Sequence, residues 1–245
     1  MEKQIFKTNI VLDSYDVDVT GRWKPASILR HMTIVAQKHC DILNPGDPKL
    51  EAESLFWVLL RVEAELEKLP RTDTEILIKT AANNKRGRTF CRYFRFLSAD
   101  ETVCYGIAKT YWVVLERESR KMGKLASENP IHNYQAPDVQ GLLTAPKAIK
   151  LSGMLQKEIT RRVQYSDLDD NGHMNNTRYA EWAEDMIGYE TLKTATIKAF
   201  DVNFIKEAAP NTEMQLSLYQ DENVYYVKGI RKETLEDLFI VKLVL

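Results

Sequence analysis

The stretch SDLDDNGHMNNTRYAEW, Ser166 to Trp182, decides how this chain is read. Its opening looks like a calcium loop. Asp167, Asp169, Asn171 and Gly172 take the first, third, fifth and sixth places of the pattern D-x-[DN]-x-[DN]-G-x5-E. The twelfth place should hold a glutamate that gives two oxygens to the ion. It holds Arg178, a cation where the largest ligand belongs, and Glu181 comes three residues too late. The preceding ITRRVQYS is β-branched and strand-like, not the incoming helix of an EF-hand. No metal is expected here.

A second stretch explains the first. Tyr15–Ile28, YDVDVTGRWKPASI, aligns without gaps under Ser166–Tyr179, so that Asp16, Asp18 and Gly21 meet Asp167, Asp169 and Gly172. Downstream, PRTDTEILI (Pro70–Ile78) pairs with PNTEMQLSL (Pro210–Leu218), proline against proline. Two similar blocks in the same order indicate two copies of one unit. In each copy a short strand leads through the Asp–Gly turn into one helix.

The second helix carries Tyr179, Trp182, Ala183, Met186 and Ile187 at i, i+3, i+4, i+7 and i+8, a single apolar stripe. Asn175 or Asn176 can cap its start and Gly188 can end it. In the first copy Pro25 suits the first helical turn, and Ile28, Leu29, Met32, Val35 and Ala36 form the stripe. Strand-like runs follow: 56–69, 74–82, 89–97 and 103–115, then 197–208, 213–219, 224–230 and 238–245. Turn-rich pieces between several of them predict antiparallel hairpins. One helix followed by about four long strands must bury the helix on one face of a curled sheet. The expected architecture is α+β: two tandem helix-in-sheet units, 1–118 and 156–245, paired like the subunits of a homodimer. The polar stretch 119–155, with Pro130, Pro137 and Pro146, reads as a connecting segment.

Bulk properties narrow the function. With 44% apolar and 28% charged residues and a net charge of −1, the chain has no global electrostatic reason to bind nucleic acid or an anionic membrane. Its apolar runs fall far short of a membrane span of about 20 residues. The start MEKQIFKTN puts charges where a signal peptide has its apolar region. Cys40, Cys91 and Cys104 are odd in number and lack metal-type spacing, which fits free thiols in a reducing cytoplasm. NNKRGRTFCRYFRF mixes basic and aromatic residues as an RNA-binding strand does, but Arg88 stands where an aromatic ring belongs. A hairpin with a solvated basic face explains it more simply.

The two loops differ in an informative way. The first copy has Thr20, Arg22, Lys24 and Pro25 where the second has Asn171, His173, Asn175 and Asn176. A turn needs the shared aspartates and glycine; it does not need the histidine and three asparagines. The second loop thus offers an imidazole, amide donors and a carboxylate at a helix N-terminus, where the dipole favours developing negative charge. That suits attack on an activated carbonyl, whose oxyanion is the costly species.

These residues, DDNGH followed by MNNTRYAEW, resemble the acyl-acyl carrier protein (ACP) thioesterases of bacteria and plant plastids, whose pattern is D-x-N-x-H-x-N-N-x-x-Y. FWVLLRVEAELEKLP (Phe56–Pro70) is similar to that family's Trp-Val-x-x-Arg strand. The resemblance covers essentially the whole chain and implies a double hotdog fold with no cofactor. It implies Glu207, 34 residues after His173, as general base or nucleophile. It also implies that His173 and Asn171 polarise the thioester carbonyl, that Asp169 holds their geometry, and that Asn175, Asn176 and Trp57 contact substrate. Where plant members often carry a cysteine after the glutamate, this chain has Ala208, so the carboxylate must act alone. Strand parity sets Glu207 on the face of Asp201 and Asn203 unless a bulge intervenes. The implied partner is an acyl carrier protein bearing a fatty acyl chain, with a further homodimer left open. An acyl-CoA thioesterase and a non-catalytic acyl-thioester-binding module are the rival readings.

Overall fold

The computed structural model describes residues 5–43, 54–86, 88–125, 129 and 148–245. Pro130, Pro137 and Pro146 of the connecting segment lie outside the described residues, as do Gly87 of the basic hairpin and the side chains of residues 83–86. The first half runs β1 (Phe6–Val11), α1 (Pro25–Leu43), β2 (Leu55–Leu66), β3 (Glu75–Arg86), β4 (Thr89–Ser98) and β5 (Cys104–Glu116). The second runs β6 (Met154–Arg162), α2 (Asn176–Ile187), a one-turn α3 (Tyr189–Leu192), β7 (Ala199–Phe204), β8 (Glu213–Asp221), β9 (Val224–Arg231) and β10 (Asp237–Val244).

Among the described residues these strands form one antiparallel sheet of ten, ordered β1-β3-β4-β5-β2-β7-β10-β9-β8-β6. Read inward from either edge, the two halves have the same order. They meet where β2 pairs with β7, Arg61 opposite Asn203, Val62 opposite Val202 and Glu63 opposite Asp201. Alternation along these strands sends Val62, Phe200 and Val202 inward to the helices, while Glu63 and Asp201 face outward.

Both apolar stripes are buried as the spacing predicts, and α1 packs directly on α2. One continuous core draws on both halves, from Ile28 and Met32 to Trp182 and Phe239. Each such side chain contributes about 1.5–3 kcal/mol when fully buried. Pro25 opens α1, Asn175 caps α2 and Gly188, at φ 90°, ends it. Among the described residues no helix is long and apolar enough to cross a membrane.

The repeat is visible bond by bond. In both loops the aspartate carboxylate accepts two backbone N–H groups: Asp18 from Thr20 and Arg22, Asp169 from Asn171 and His173. Gly21 and Gly172 sit at φ 75° and 76°, a left-handed turn that disfavours other residues. Downstream, however, the structure corrects the sequence pairing by two residues. Asp73 N–H donates to Leu12 as Asn211 N–H donates to Val163, and Thr74 and Thr212 accept in return. Pro70 therefore corresponds to Ala208, not to Pro210, and Leu69 occupies the place of Glu207. A shift of two keeps strand parity, so the apolar alternation could not expose it.

Gly229 lies opposite Phe239 on β10, and a Cβ there would come within 2.0 Å of the Phe239 ring. Phe239 is fully buried against Tyr179, with 4.9 Å between ring centroids. Gly229→Ala is expected to destabilise the fold by about 1–3 kcal/mol through overpacking. Urea unfolding monitored by tryptophan fluorescence measures it.

Candidate active site

The loop between β6 and α2 is held from below. Asn175 N–H donates to the Asp167 carbonyl, Asp169 N–H to the His173 carbonyl and Gly172 N–H to the Asp169 carbonyl. The Asp169 carboxylate gathers the N–H groups of Asn171 and His173 at 3.0 and 3.3 Å. Asp169 is thus the brace of the turn, as Asp18 is in the first half. His173 is left half-buried at the loop's rim, with Asn171 exposed beside it and its amide 3.3 Å from Asp170.

Glu207 reaches the same place from β7. Beyond Phe204, the N–H groups of Ile205 and Lys206 both donate to the Leu238 carbonyl, at 2.9 and 3.1 Å. Two residues opposite one is a bulge, and it cancels the parity that would have turned Glu207 outward. The next residue, Ala208, has no exposed surface. Its carbonyl accepts the Met174 N–H at 2.9 Å, and its backbone also bonds the Tyr179 hydroxyl. Burial pushes the Tyr179 phenol up from its ordinary range, with the Glu207 and Asp169 charges adding to the shift, so it stays a neutral anchor. Tied in this way, the strand end brings Glu207 Oε2 to 3.4 Å from His173 Nε2.

A third group completes the cluster, and sequence reasoning missed it. Arg120, in the turn after β5, lies 3.2 Å from Glu207 Oε2 and 3.4 Å from Oε1, and its guanidinium stacks over the Phe56 ring at 5.0 Å. The connecting-segment reading of 119–155 hid it. No local motif marks it, because the contact spans 87 residues and both halves. Among the described residues, no His, Cys, Asp and Glu side chains converge in a group of three able to hold a metal.

The remaining expected residues lie elsewhere. Asn175 spends its side-chain oxygen on Thr177, accepting from N–H at 2.9 Å and from the hydroxyl at 2.8 Å. Its work in this structure is capping. Asn176 is the first helical residue, half-buried next to it. Trp57 points to the opposite face from Phe56, as strand neighbours must. It packs edge-on against Phe90 in a satellite cluster with Leu55, Val114 and Leu125. Trp112 links that cluster to a cavity of about 10 Å³ under α1, bordered by Leu29, Met32, Thr33 and Phe94.

The first-half loop makes a contrasting arrangement. Arg22 donates to the Ala195 carbonyl at 2.6 Å, and Leu69 replaces the glutamate. Glu184 on α2 faces this loop. Burial pushes its carboxyl up to about 8, partly opposed by Lys24 and reinforced by Asp18.

A helix cradled in each half of a shared antiparallel sheet, with a polar loop at one helix N-terminus, defines a double hotdog protein. The chain belongs to the acyl-ACP thioesterase family: the family's N-terminal domain matches residues 3–131 and its C-terminal domain residues 154–237. The solved structure of an acyl-ACP thioesterase from Bacteroides thetaiotaomicron shares the fold with a TM-score of 0.86 at 24% identity, covering 99% of this chain and 98% of that one. The 12:0-ACP thioesterase from Umbellularia californica gives 0.84 at 14%, covering 98% and 96%. A chloroplastic palmitoyl-ACP thioesterase of Gossypium hirsutum is 21% identical over 89% of this chain. The chain spans 56% of that relative's length.

Two outcomes test this description. Asn175→Ala should cost about 1 kcal/mol of stability, whereas Asn175→Asp, another good cap, should retain both stability and turnover; a large loss of turnover in the aspartate variant would make the amide a substrate contact. Glu184 should make the fold lose stability as pH rises from the ordinary carboxylate value toward 8, because the unfolded chain ionises first. Glu184→Gln is therefore expected to raise the thermal midpoint at neutral pH and leave it unchanged near pH 4, as calorimetry at the two pH values would show.

Proposed function

We propose that this protein hydrolyses the thioester of fatty acyl-ACP, releasing a free fatty acid and the carrier thiol. The observation that carries the reading is the meeting of His173, from the loop at the helix N-terminus, with Glu207, from the bulged end of β7, in a half-open site. Family membership points to the same chemistry. In this reading Glu207 takes a proton from water as the water oxygen bonds to the carbonyl carbon. His173 and Asn171 hold the carbonyl oxygen as it becomes an oxyanion, assisted by the N-terminal dipole of α2. When the tetrahedral carbon expels the thiolate, the proton on Glu207 passes to sulfur. Asp169 keeps the loop in register throughout. Asn176 and Trp57 are assigned to the substrate path, and Asn175 to it indirectly, through the cap.

The division of labour we propose gives residues 1–118 to the acyl pocket, 119–155 to the connection and 156–245 to the chemistry. The cavity under α1 holds about 10 Å³, room for one water. An acyl chain can enter there only as side chains shift, and Met32 is the most adaptable of them. The partner in this reading is an acyl carrier protein. Free Cys40, Cys91 and Cys104 suit a reducing cytoplasm, and a homodimer through other surfaces is compatible with the fold.

The test is thiol release from panels of acyl-ACP and acyl-CoA of varied chain length. Glu207→Ala and His173→Ala should each lower turnover by roughly 10²–10⁴-fold. Near-parental rates in both variants would sink the site. Preference for the CoA panel would move the activity to acyl-CoA, and no release from any donor would leave a binding module.

A further inference from the structure

Arg120 sits in the turn that follows the last strand of the first half, yet its charge is delivered to the second. The turn that carries it is tightly specified. Glu116 N–H donates to the Lys121 carbonyl, Arg120 N–H donates to the Glu116 carbonyl, and Met122 bridges back to Leu115. Arg120 takes the left-handed place of this hairpin turn at φ 54°, a conformation that suits glycine or asparagine better than arginine. The side chain is nevertheless placed firmly. Phe56 supports the guanidinium of Arg120 at 5.0 Å and that of Arg117 at 5.7 Å. Its Nη1 spans both oxygens of Glu207, at 3.2 and 3.4 Å. His173 approaches Oε2 of the same carboxylate at 3.4 Å.

We infer that Arg120 is a positioning residue for Glu207, so that the catalytic unit is completed across the two halves by a residue of the connecting turn. The inference rests on the reading of Glu207 as the base. A carboxylate at the end of a strand, 43% exposed, can rotate freely unless something fixes its plane. Arg120 fixes it against a ring borne by β2, the strand neighbour of β7. A salt bridge this exposed adds little stability, which leaves orientation as its use.

Because the backbone at this position prefers glycine, Arg120→Gly removes the side chain without asking the turn to refold. The parent, Arg120→Gly, Arg120→Lys, Glu207→Gln and the Arg120→Gly/Glu207→Gln pair are compared on the acyl thioester cleaved fastest in the panel above. Arg120→Gly should lower kcat roughly 10–100-fold, the scale on which a misplaced catalytic group acts, with KM little changed and no fall in the thermal midpoint. Arg120→Lys should recover part of the loss. In the Glu207→Gln background the same Arg120→Gly change should have no further effect, since residues that act as a unit are not additive. Parental kcat in Arg120→Gly, an equal loss in both backgrounds, or a raised KM at unchanged kcat would overturn the inference, the last by making Arg120 a docking contact. Parental activity in Glu207→Gln would instead remove the reading of Glu207 itself.

Discussion

Everything in this molecule is referred to the pairing of β2 with β7. That short antiparallel ladder makes one sheet out of two. Because the sheet is continuous, α1 and α2 must lie side by side on the same face, and the two stripes share one core instead of closing two small ones. The same ladder sets the end of β7 beside the start of β2. Glu207 and Phe56 are brought together there, and with Phe56 comes Arg120. A slip of one residue would send Val62 and Val202 to solvent and Glu63 and Asp201 into the core, so the apolar pattern that builds the core also fixes the geometry of the site.

The two loops show how a scaffold and its chemistry separate. Asp18 and Asp169 make the same pair of backbone bonds, and Gly21 and Gly172 turn at nearly the same angle. What differs hangs from that frame. His173 meets a carboxylate, whereas Arg22 is bound to the Ala195 carbonyl and Leu69 fills the position opposite. The first half retains even the bulge, since the N–H groups of Glu67 and Lys68 both donate to the Tyr105 carbonyl. The first-half loop therefore keeps the brace and the bulge without the histidine–carboxylate pair, and desolvation raises the Glu184 carboxyl that faces it.

The parts legible in the sequence were those governed by local rules. Helix stripes, the glycine turns, the cap at Asn175 and the hairpins follow from spacing and turn chemistry within a few residues. The shared aspartates could be read as bracing because a turn explains them and their neighbours' differences do not. Three features escaped. The bulge before Glu207 depends on a cross-strand carbonyl at Leu238, so parity alone pointed the wrong way. The two-residue offset in the repeat preserved every alternation that could have revealed it. Arg120 is joined to its partner only through the tertiary fold, inside a stretch whose composition reads as linker. Asn175 was legible as a cap and as a substrate contact at once, and the bonds to Thr177 favour the first.

Ala208 is the quietest residue of the site. Fully buried, bonded through its carbonyl to the loop and through its backbone to Tyr179, it immobilises the link between two elements that otherwise have separate roots. The loop and the strand end are thereby cast as one piece through their backbones. Arg120 reaches the same carboxylate from the other bank, the hairpin turn after β5, so the site is fastened by backbone on one side and by a side chain alone on the other.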